Sequence, residues 1–162
     1  MITIYACGYT IDNGKPTQRG ACAASLEHYD SSNRKAVRVV SEPVGNSTGP
    51  QCDIKGAILG LMSINASPVL QFRKAPVNLY ASKYVAQLLE CGDDGRFKAT
   101  PKKNAELVRR LREKVSLFEN LTVYVGTKEQ LQQPLDISKT AVNSGLHSDT
   151  GTLVLHTDTL VV

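Results

Sequence analysis

Three β-prone segments occupy the first 45 residues before any helical periodicity begins, and this order limits the fold more than any other feature. Residues 2–10 mix β-branched and aromatic side chains, and residues 21–29 and 35–44 follow after short polar turns. Short turns join antiparallel neighbours, whereas parallel strands need a long crossover connection. The sequence therefore predicts an antiparallel meander of three strands at the start of the fold.

Helical periodicity begins after the turn-forming residues 46–50. From Asp53 on, apolar residues recur at the spacing of one helix face: Ile54, Ala57, Ile58, Leu61 and Met62. A short apolar run at 77–81 predicts a buried strand, and residues 82–90 a helix. A second apolar stripe follows Pro101, formed by Leu107, Val108, Leu111, Val115 and Phe118. This stripe predicts a further helix.

The last part of the chain predicts a strand at 121–125 and a helix from Pro134 towards Ala141, since proline suits the first turn of a helix. The whole order favours an α/β domain, with a mixed sheet flanked by helices, over residues 1–145. Residues 146–162 are β-prone and form a separate extension. We expect this extension either to add an edge strand or to dock on a partner.

Composition limits the class of protein. The 162 residues suit one domain, and 41% hydrophobic with 21% charged residues is ordinary for a soluble protein. No apolar run approaches the roughly 20 residues that span a bilayer, and the N-terminus resembles no secretory signal. We therefore expect a cytoplasmic protein without a membrane partner. Scattered cysteines without a Cys-x-x-Cys pair predict reduced thiols and no zinc site: Cys7, Cys22, Cys52 and Cys91.

The positive charge is concentrated in one window. Between Arg96 and Lys114 there are eight basic residues against Glu106 and Glu113, so this window carries +6 in a chain of net charge +4. A solvated helix face is one interpretation of such a run. Because the window holds the whole positive excess, binding of nucleic-acid phosphates is the other.

Two short segments at the ends of predicted strands are informative about the class of protein. Residues 4–8 read Ile-Tyr-Ala-Cys-Gly and residues 79–85 read Leu-Tyr-Ala-Ser-Lys-Tyr-Val. Both resemble type 1 ribonuclease H, whose patterns are Ile-Tyr-x-Asp-Gly and Thr-Asp-Ser-x-Tyr-Val. The resemblance extends over residues 2–144. It implies a ribonuclease H-like mixed five-stranded sheet, three antiparallel strands then two parallel, flanked by helices, to which a C-terminal strand would be an addition.

The resemblance also implies where a metal site would lie. That family holds two divalent metals with four carboxylates. Here Asp53 and Asp136 match two of them and are the candidate metal or catalytic residues, whereas Cys7 and Ala81 replace the other two. Thr127 stands where the family has a proton-shuttling histidine. The resemblance therefore implies a degenerate site and a pseudoenzyme, with Mg²⁺ or Mn²⁺ bound only if activity remains.

Without the resemblance, Asp53 and Asp136 have a structural interpretation as carboxylates near helix starts. There their negative charge interacts favourably with the helix dipole. Cys7 could still ligate a soft metal, but a thiolate is a poor replacement for a carboxylate that bridges two Mg²⁺ ions. The resemblance also implies that Cys7 and Cys52 approach each other.

Other segments of the resemblance imply a nucleic-acid interface. Gly-Arg-Phe-Lys at 95–98 and Lys-Lys-Asn at 102–104 match family segments near the bound DNA strand. The candidate binding residues are Lys83, Arg96, Phe97, Lys98, Lys102, Lys103 and Arg109. Phe97 could pack on a sugar or could belong to a small core.

Three hypotheses remain open on the sequence. The first is an inactive protein that binds an RNA–DNA hybrid, double-stranded RNA or DNA through the basic window. The second is a protein-interaction adaptor, or a subunit of a nucleic-acid-processing complex, that uses the C-terminal extension. The third is a metal-dependent nuclease of RNA–DNA hybrids that combines Asp53 and Asp136 with a third carboxylate such as Glu90 or Asp12.

Overall fold

The computed structural model describes residues 1–29, 31–66, 75–143 and 153–155. Within these ranges the strands are β1 (Ile2–Ile11), β2 (Arg19–Tyr29), β3 (Lys35–Gly45), β4 (Val77–Ala81), β5 (Leu121–Val125) and β6 (Leu153–Leu155). The helices are α1 (Gly49–Ala66), α2 (Lys83–Leu88), α3 (Ala105–Val115) and α4 (Gln132–Asn143). No helix of these ranges is both long and apolar enough to cross a membrane.

All six strands form one sheet in the order β5-β4-β1-β2-β3-β6. Strands β1, β2 and β3 are antiparallel neighbours, and β4 and β5 continue the sheet from β1 in parallel. The predicted mixed sheet of three antiparallel and two parallel strands is confirmed. Strand β6 pairs antiparallel with β3 over three residues. The predicted extension otherwise lies outside the described residues, at 146–152 and 156–162.

Helix α1 begins four residues before the predicted start. The amide of Thr48 donates to Oε1 of Gln51 at 2.9 Å, and the amide of Gln51 donates to Oγ1 of Thr48 at 3.3 Å. This reciprocal capping satisfies amides that a helix start would otherwise leave without partners. Because the cap lies at Thr48, the helix begins at Gly49.

The main core lies between the sheet and helices α1, α2 and α3. Alternate residues of β1 face this core, so Ile4 and Ala6 are buried against α1. Helix α1 approaches the sheet closely through small residues. A Cβ placed on Gly56 would lie 2.5 Å from the carbonyl oxygen of Cys7, and one on Gly60 2.8 Å from Cγ2 of Ile4. The close approach fixes α1, and Asp53 with it, against β1.

Helix α4 packs on the opposite face of the sheet, against β1, β2 and β3. Beyond it, on the parallel half of the sheet, three tyrosines of neighbouring strands form a stacked row. The ring centroids of Tyr5 and Tyr80 are 5.2 Å apart, and those of Tyr80 and Tyr124 are 5.0 Å apart. We call Tyr5, Tyr80 and Tyr124 the tyrosine row.

Candidate nucleic-acid interface

Cys7 lies on β1 at the junction with α1 and α4. Its side chain is 6% exposed, and its thiol donates to the carbonyl oxygen of Leu131 at an Sγ–O distance of 3.7 Å. Burial, followed by the negative charges of Asp53 and Asp136, raises the pKa of the Cys7 thiol to about 12. The structure thus brings these three side chains together, and at neutral pH the thiol is protonated.

Asp53 is the fifth residue of α1 and is held by bonds outside its own helix. Its Oδ1 accepts a hydrogen bond from the amide of Gly8 at 2.8 Å. Burial raises the pKa of the Asp53 carboxyl, although bonds from the Gly8 amide and the Ser82 side chain oppose the shift. Asp53 thus lies near the start of α1 but just after its first turn, which contains no acidic residue.

Asp136 is likewise the fifth residue of α4, and the first turn of that helix contains no acidic residue. Because α4 begins at Gln132, Asp136 lies near the helix start but just after the first turn. Asp136 is exposed, and its Oδ1 accepts from Nε2 of Gln132 at 2.8 Å. Pro134 lies in the first turn of α4, as predicted.

The two remaining positions of the predicted site have structural roles. Ala81 is fully buried at the end of β4, and its carbonyl oxygen accepts from the amide of Gly126 at 2.8 Å. Thr127 forms a reciprocal cap with Gln130, through bonds of 2.9 and 3.2 Å. Neither side chain offers a carboxylate or an imidazole.

The side chains near Cys7 do not provide the ligands that two divalent metal ions require. Mg²⁺ prefers charged oxygen ligands, and here two carboxylates accompany a protonated thiol and an alanine. Across the described ranges, no group of three or more His, Cys, Asp or Glu residues could hold a metal. Both alternative carboxylates are ion-paired elsewhere, Glu90 with Lys98 at 3.1 Å and Asp12 with Arg19 at 3.3 Å.

The basic window divides into structural and exposed cations. Nη2 of Arg112 donates to the carbonyl oxygens of Leu88 and Ala99, both at 2.8 Å, and its guanidinium lies 4.5 Å from the ring centroid of Phe97. Phe97 is partly buried and packs against the main core. Of its two predicted roles, the structure therefore supports the core residue. Arg112 holds the 96–103 segment against α2 and α3.

Two further cations of the window are balanced locally. Arg109 is ion-paired with Glu106 and Glu113 on the surface of α3, and Lys98 is paired with Glu90. The remaining predicted binding residues are exposed and have no ion pair within the described part of the chain: Lys83, Arg96, Lys102 and Lys103. Among the predicted binding residues, these four cations are therefore not neutralised by a described carboxylate.

A hydrogen-bonded bridge joins three helix starts beside these cations. Nε2 of Gln51 donates to Oδ1 of Asn104 at 3.0 Å, and Nδ2 of Asn104 donates to the hydroxyl of Tyr84 at 3.3 Å. Asn104 has a left-handed backbone with φ of 59° and does not cap its own helix α3. The bridge brings Lys83, next to Tyr84, towards Lys102 and Lys103. Sequence reasoning missed Gln51, although Thr-x-x-Gln is a recognisable cap.

Comparisons with solved structures identify the fold. LC11-RNase H1, solved in complex with an RNA/DNA hybrid, matches 90% of this chain and 99% of its own, with a TM-score of 0.69 and 15% identity. LC9-RNase H1, described as a type 1 RNase H with the type 2 active-site motif, matches 95% and 77%, with a TM-score of 0.69 and 15% identity. The chain has the ribonuclease H fold.

A third structure with the ribonuclease H fold is the N-terminal RNase H domain of a Mycobacterium tuberculosis protein, solved as a fusion with maltose binding protein. It matches 88% of this chain and 94% of its own, with a TM-score of 0.65 and 16% identity. No family model and no curated protein matches the sequence. The predicted resemblance to the ribonuclease H-like superfamily is confirmed at the level of the fold.

Proposed function

We propose that this chain binds duplex or hybrid nucleic acid through the surface around Asn104, and that it no longer hydrolyses its ligand. The bridge from Gln51 through Asn104 to Tyr84 carries the proposal, because it joins the starts of α1 and α3 next to exposed lysines. We call Lys83, Lys102 and Lys103 with the start of α3 the phosphate surface.

The chemistry of the phosphate surface suits a nucleic-acid backbone. The first amides of a helix lack partners within the helix and carry partial positive charge, so they favour anions. Since the side chain of Asn104 bonds to Gln51 and Tyr84, it does not cap the first amides of α3. Lysines at the same place add full charges. The hybrid bound by LC11-RNase H1, which has this fold, supports an RNA–DNA hybrid as the first ligand to test.

The proposed loss of hydrolysis rests on the side chains that stand at the positions of the metal ligands. Two-metal catalysis needs clustered negative oxygens that retain both cations. Cys7 is a protonated thiol next to Asp53 and Asp136, and Ala81 has no ligand atom. We therefore propose that the chain has no resident Mg²⁺ or Mn²⁺. A protein partner that binds residues 146–162 stays a prediction.

Binding is tested with a fluorescently labelled RNA–DNA hybrid, with double-stranded RNA and DNA in parallel. We expect the double variant Lys102→Glu/Lys103→Glu to raise Kd at least about tenfold, because two phosphate contacts become repulsive. The matched control is Arg34→Glu/Lys35→Glu, which makes the same charge change at the turn between β2 and β3, at the other end of the sheet. Equal effects of both double variants would reject the phosphate surface.

Hydrolysis is tested with the same hybrid in Mg²⁺ and in Mn²⁺. We expect the hybrid to remain intact over a time in which an active ribonuclease H cleaves it completely. Cleavage that disappears in Asp53→Asn would reject the inactive proposal and restore the nuclease hypothesis. The binding result is independent of this outcome.

A further inference from the structure

Among the described residues, strand β5 ends the sheet and lacks the usual protection of an edge. Its sequence, Leu-Thr-Val-Tyr-Val, contains no charge and no proline, and its pairing with β4 is regular. Tyr124 and Val125 are 43% and 55% exposed. Natural proteins usually protect edge strands with charges, prolines or bulges, because an open edge pairs with other chains.

The backbone of β5 shows which residues have groups available for pairing. The carbonyl of Asn120 accepts from the amide of Val77, and the amide of Gly126 donates to the carbonyl of Ala81. Both groups therefore point towards β4. Because the direction alternates along a strand, the amides and carbonyls of Leu121, Val123 and Val125 point away from the sheet.

We propose that β5 pairs antiparallel with β5 of a second copy of this chain, about a two-fold axis at Val123. In this register Val123 lies opposite Val123 of the second copy, and Leu121 lies opposite Val125. Every outward amide and carbonyl of the strand then has a partner, as in the hydrogen-bonded pairs of an antiparallel ladder. Any shifted register leaves some of these groups without a partner.

Side chains and charges suit the same register. An apolar groove of about 500 Å³ lies beside the edge, between β5 and residues that include Gln87, Cys91 and Phe97. In the pair, the apolar side chains of both strands meet next to this groove on one face. The exposed Glu119 lies two residues before β5 and the exposed Lys128 three residues after it, so an antiparallel pair brings Glu119 of each copy to the end of the strand from which Lys128 of the other copy follows. Because β5 is complementary to an antiparallel copy of itself and has opposite charges near its two ends, a second copy of this chain is the partner that it favours.

The mass in solution tests the pairing. Sedimentation or light scattering of the full chain should give twice 17.6 kDa at tens of micromolar. Val125→Lys should raise the dimer dissociation constant about 100-fold, because each copy loses an apolar contact and gains a charge at the edge. The control Met62→Lys changes another exposed apolar residue, 45% exposed on α1, and should leave dimerisation unchanged.

The register has a separate test. Lys128→Glu should weaken the dimer several-fold, most strongly at low salt, and adding Glu119→Lys should restore it. A monomer at every concentration up to several hundred micromolar would overturn the proposal and leave the β5 edge for another chain. A dimer that is insensitive to Val125→Lys would place the interface elsewhere and also overturn it.

Discussion

Asp53 keeps its carboxylate at the junction of α1 and β1, where opposing effects act on its charge. Burial opposes ionisation, whereas the amide of Gly8 and the side chain of Ser82 favour it, and the net effect raises the pKa. A carboxyl whose pKa is raised by folding adds stability when protonated and loses that contribution as the pH rises through its pKa. The charge of Asp53 therefore lowers the stability of the folded chain at neutral pH.

Asp53→Asn should therefore raise the melting temperature at pH 7, since the amide keeps an acceptor for Gly8 without a half-buried charge. At pH 3 the aspartate is largely protonated and the difference should shrink. Thermal unfolding followed by circular dichroism measures both values. The control Asp136→Asn changes an exposed residue and should have little effect. A lower melting temperature for Asp53→Asn at pH 7 would mean that the hydrogen bonds outweigh burial.

Sequence reasoning reached the position of single residues better than their roles. Asp53 and Asp136 lie close enough to Cys7 for their charges to raise the pKa of its thiol, but the role that the resemblance implies for these positions stays a prediction. The resemblance did not separate Arg112 from the other cations of the basic window. Arg112 donates to the carbonyl of a residue 24 positions earlier, and such a partner is not visible in local sequence.

The glycines of α1 control how closely this helix approaches the sheet. Gly56→Ala gains helix propensity, but its Cβ would lie 2.5 Å from the Cys7 carbonyl, so β1 and α1 must move apart. We expect a net loss of about 1–3 kcal/mol in the free energy of unfolding, as for other overpacked sites. Urea unfolding measures it.

Gly49→Ala is the matched control for Gly56→Ala. The nearest atom to its Cβ would be Cγ2 of Thr10 at 3.8 Å, which is ordinary contact. We expect the control to be neutral or slightly stabilising. Equal stabilisation by both substitutions would show that α1 lies further from β1 than the distances indicate.

Element type and order followed from periodicity, because strands and helices repeat at different spacings and leave different apolar patterns. The strands at 2–10, 77–81 and 121–125 were predicted within one residue of their bounds. The start of α1 was not, because a polar cap places it at Gly49, five residues before Ile54, the first apolar position of the stripe. Thr48 and Gln51 carry that signal, and so do Thr127 and Gln130 before α4.

At the scale of the whole molecule, the cations that are free to bind phosphate are fewer than the basic residues of the window. Arg109 is balanced by two glutamates, Lys98 by Glu90, and Arg112 is bonded to backbone carbonyls. Lys83, Lys102 and Lys103 of the phosphate surface take part in none of these ion pairs. The eight basic residues of the window would therefore overestimate the number of phosphates that the chain neutralises.

The salt dependence of hybrid binding measures the number of phosphates that the chain neutralises. Four phosphate contacts, by Lys83, Arg96, Lys102 and Lys103, predict a slope of about −3.6 for the logarithm of the association constant against that of salt concentration. Lys103→Ala should reduce its magnitude by about 0.9, whereas Arg109→Ala should leave it almost unchanged. The reverse order would mean that the ion pairs of Arg109 open when nucleic acid binds.

The tyrosine row gives the parallel half of the sheet its own optical signal. The chain has six tyrosines and no tryptophan, and three of the tyrosines stack across β1, β4 and β5. Rings about 5 Å apart couple their electronic transitions, so they should dominate the near-ultraviolet circular dichroism of the folded chain. Loss of this circular dichroism band therefore reports the point during unfolding at which β4 separates from its neighbours. Comparison with the far-ultraviolet signal then reveals whether the two halves of the sheet unfold together.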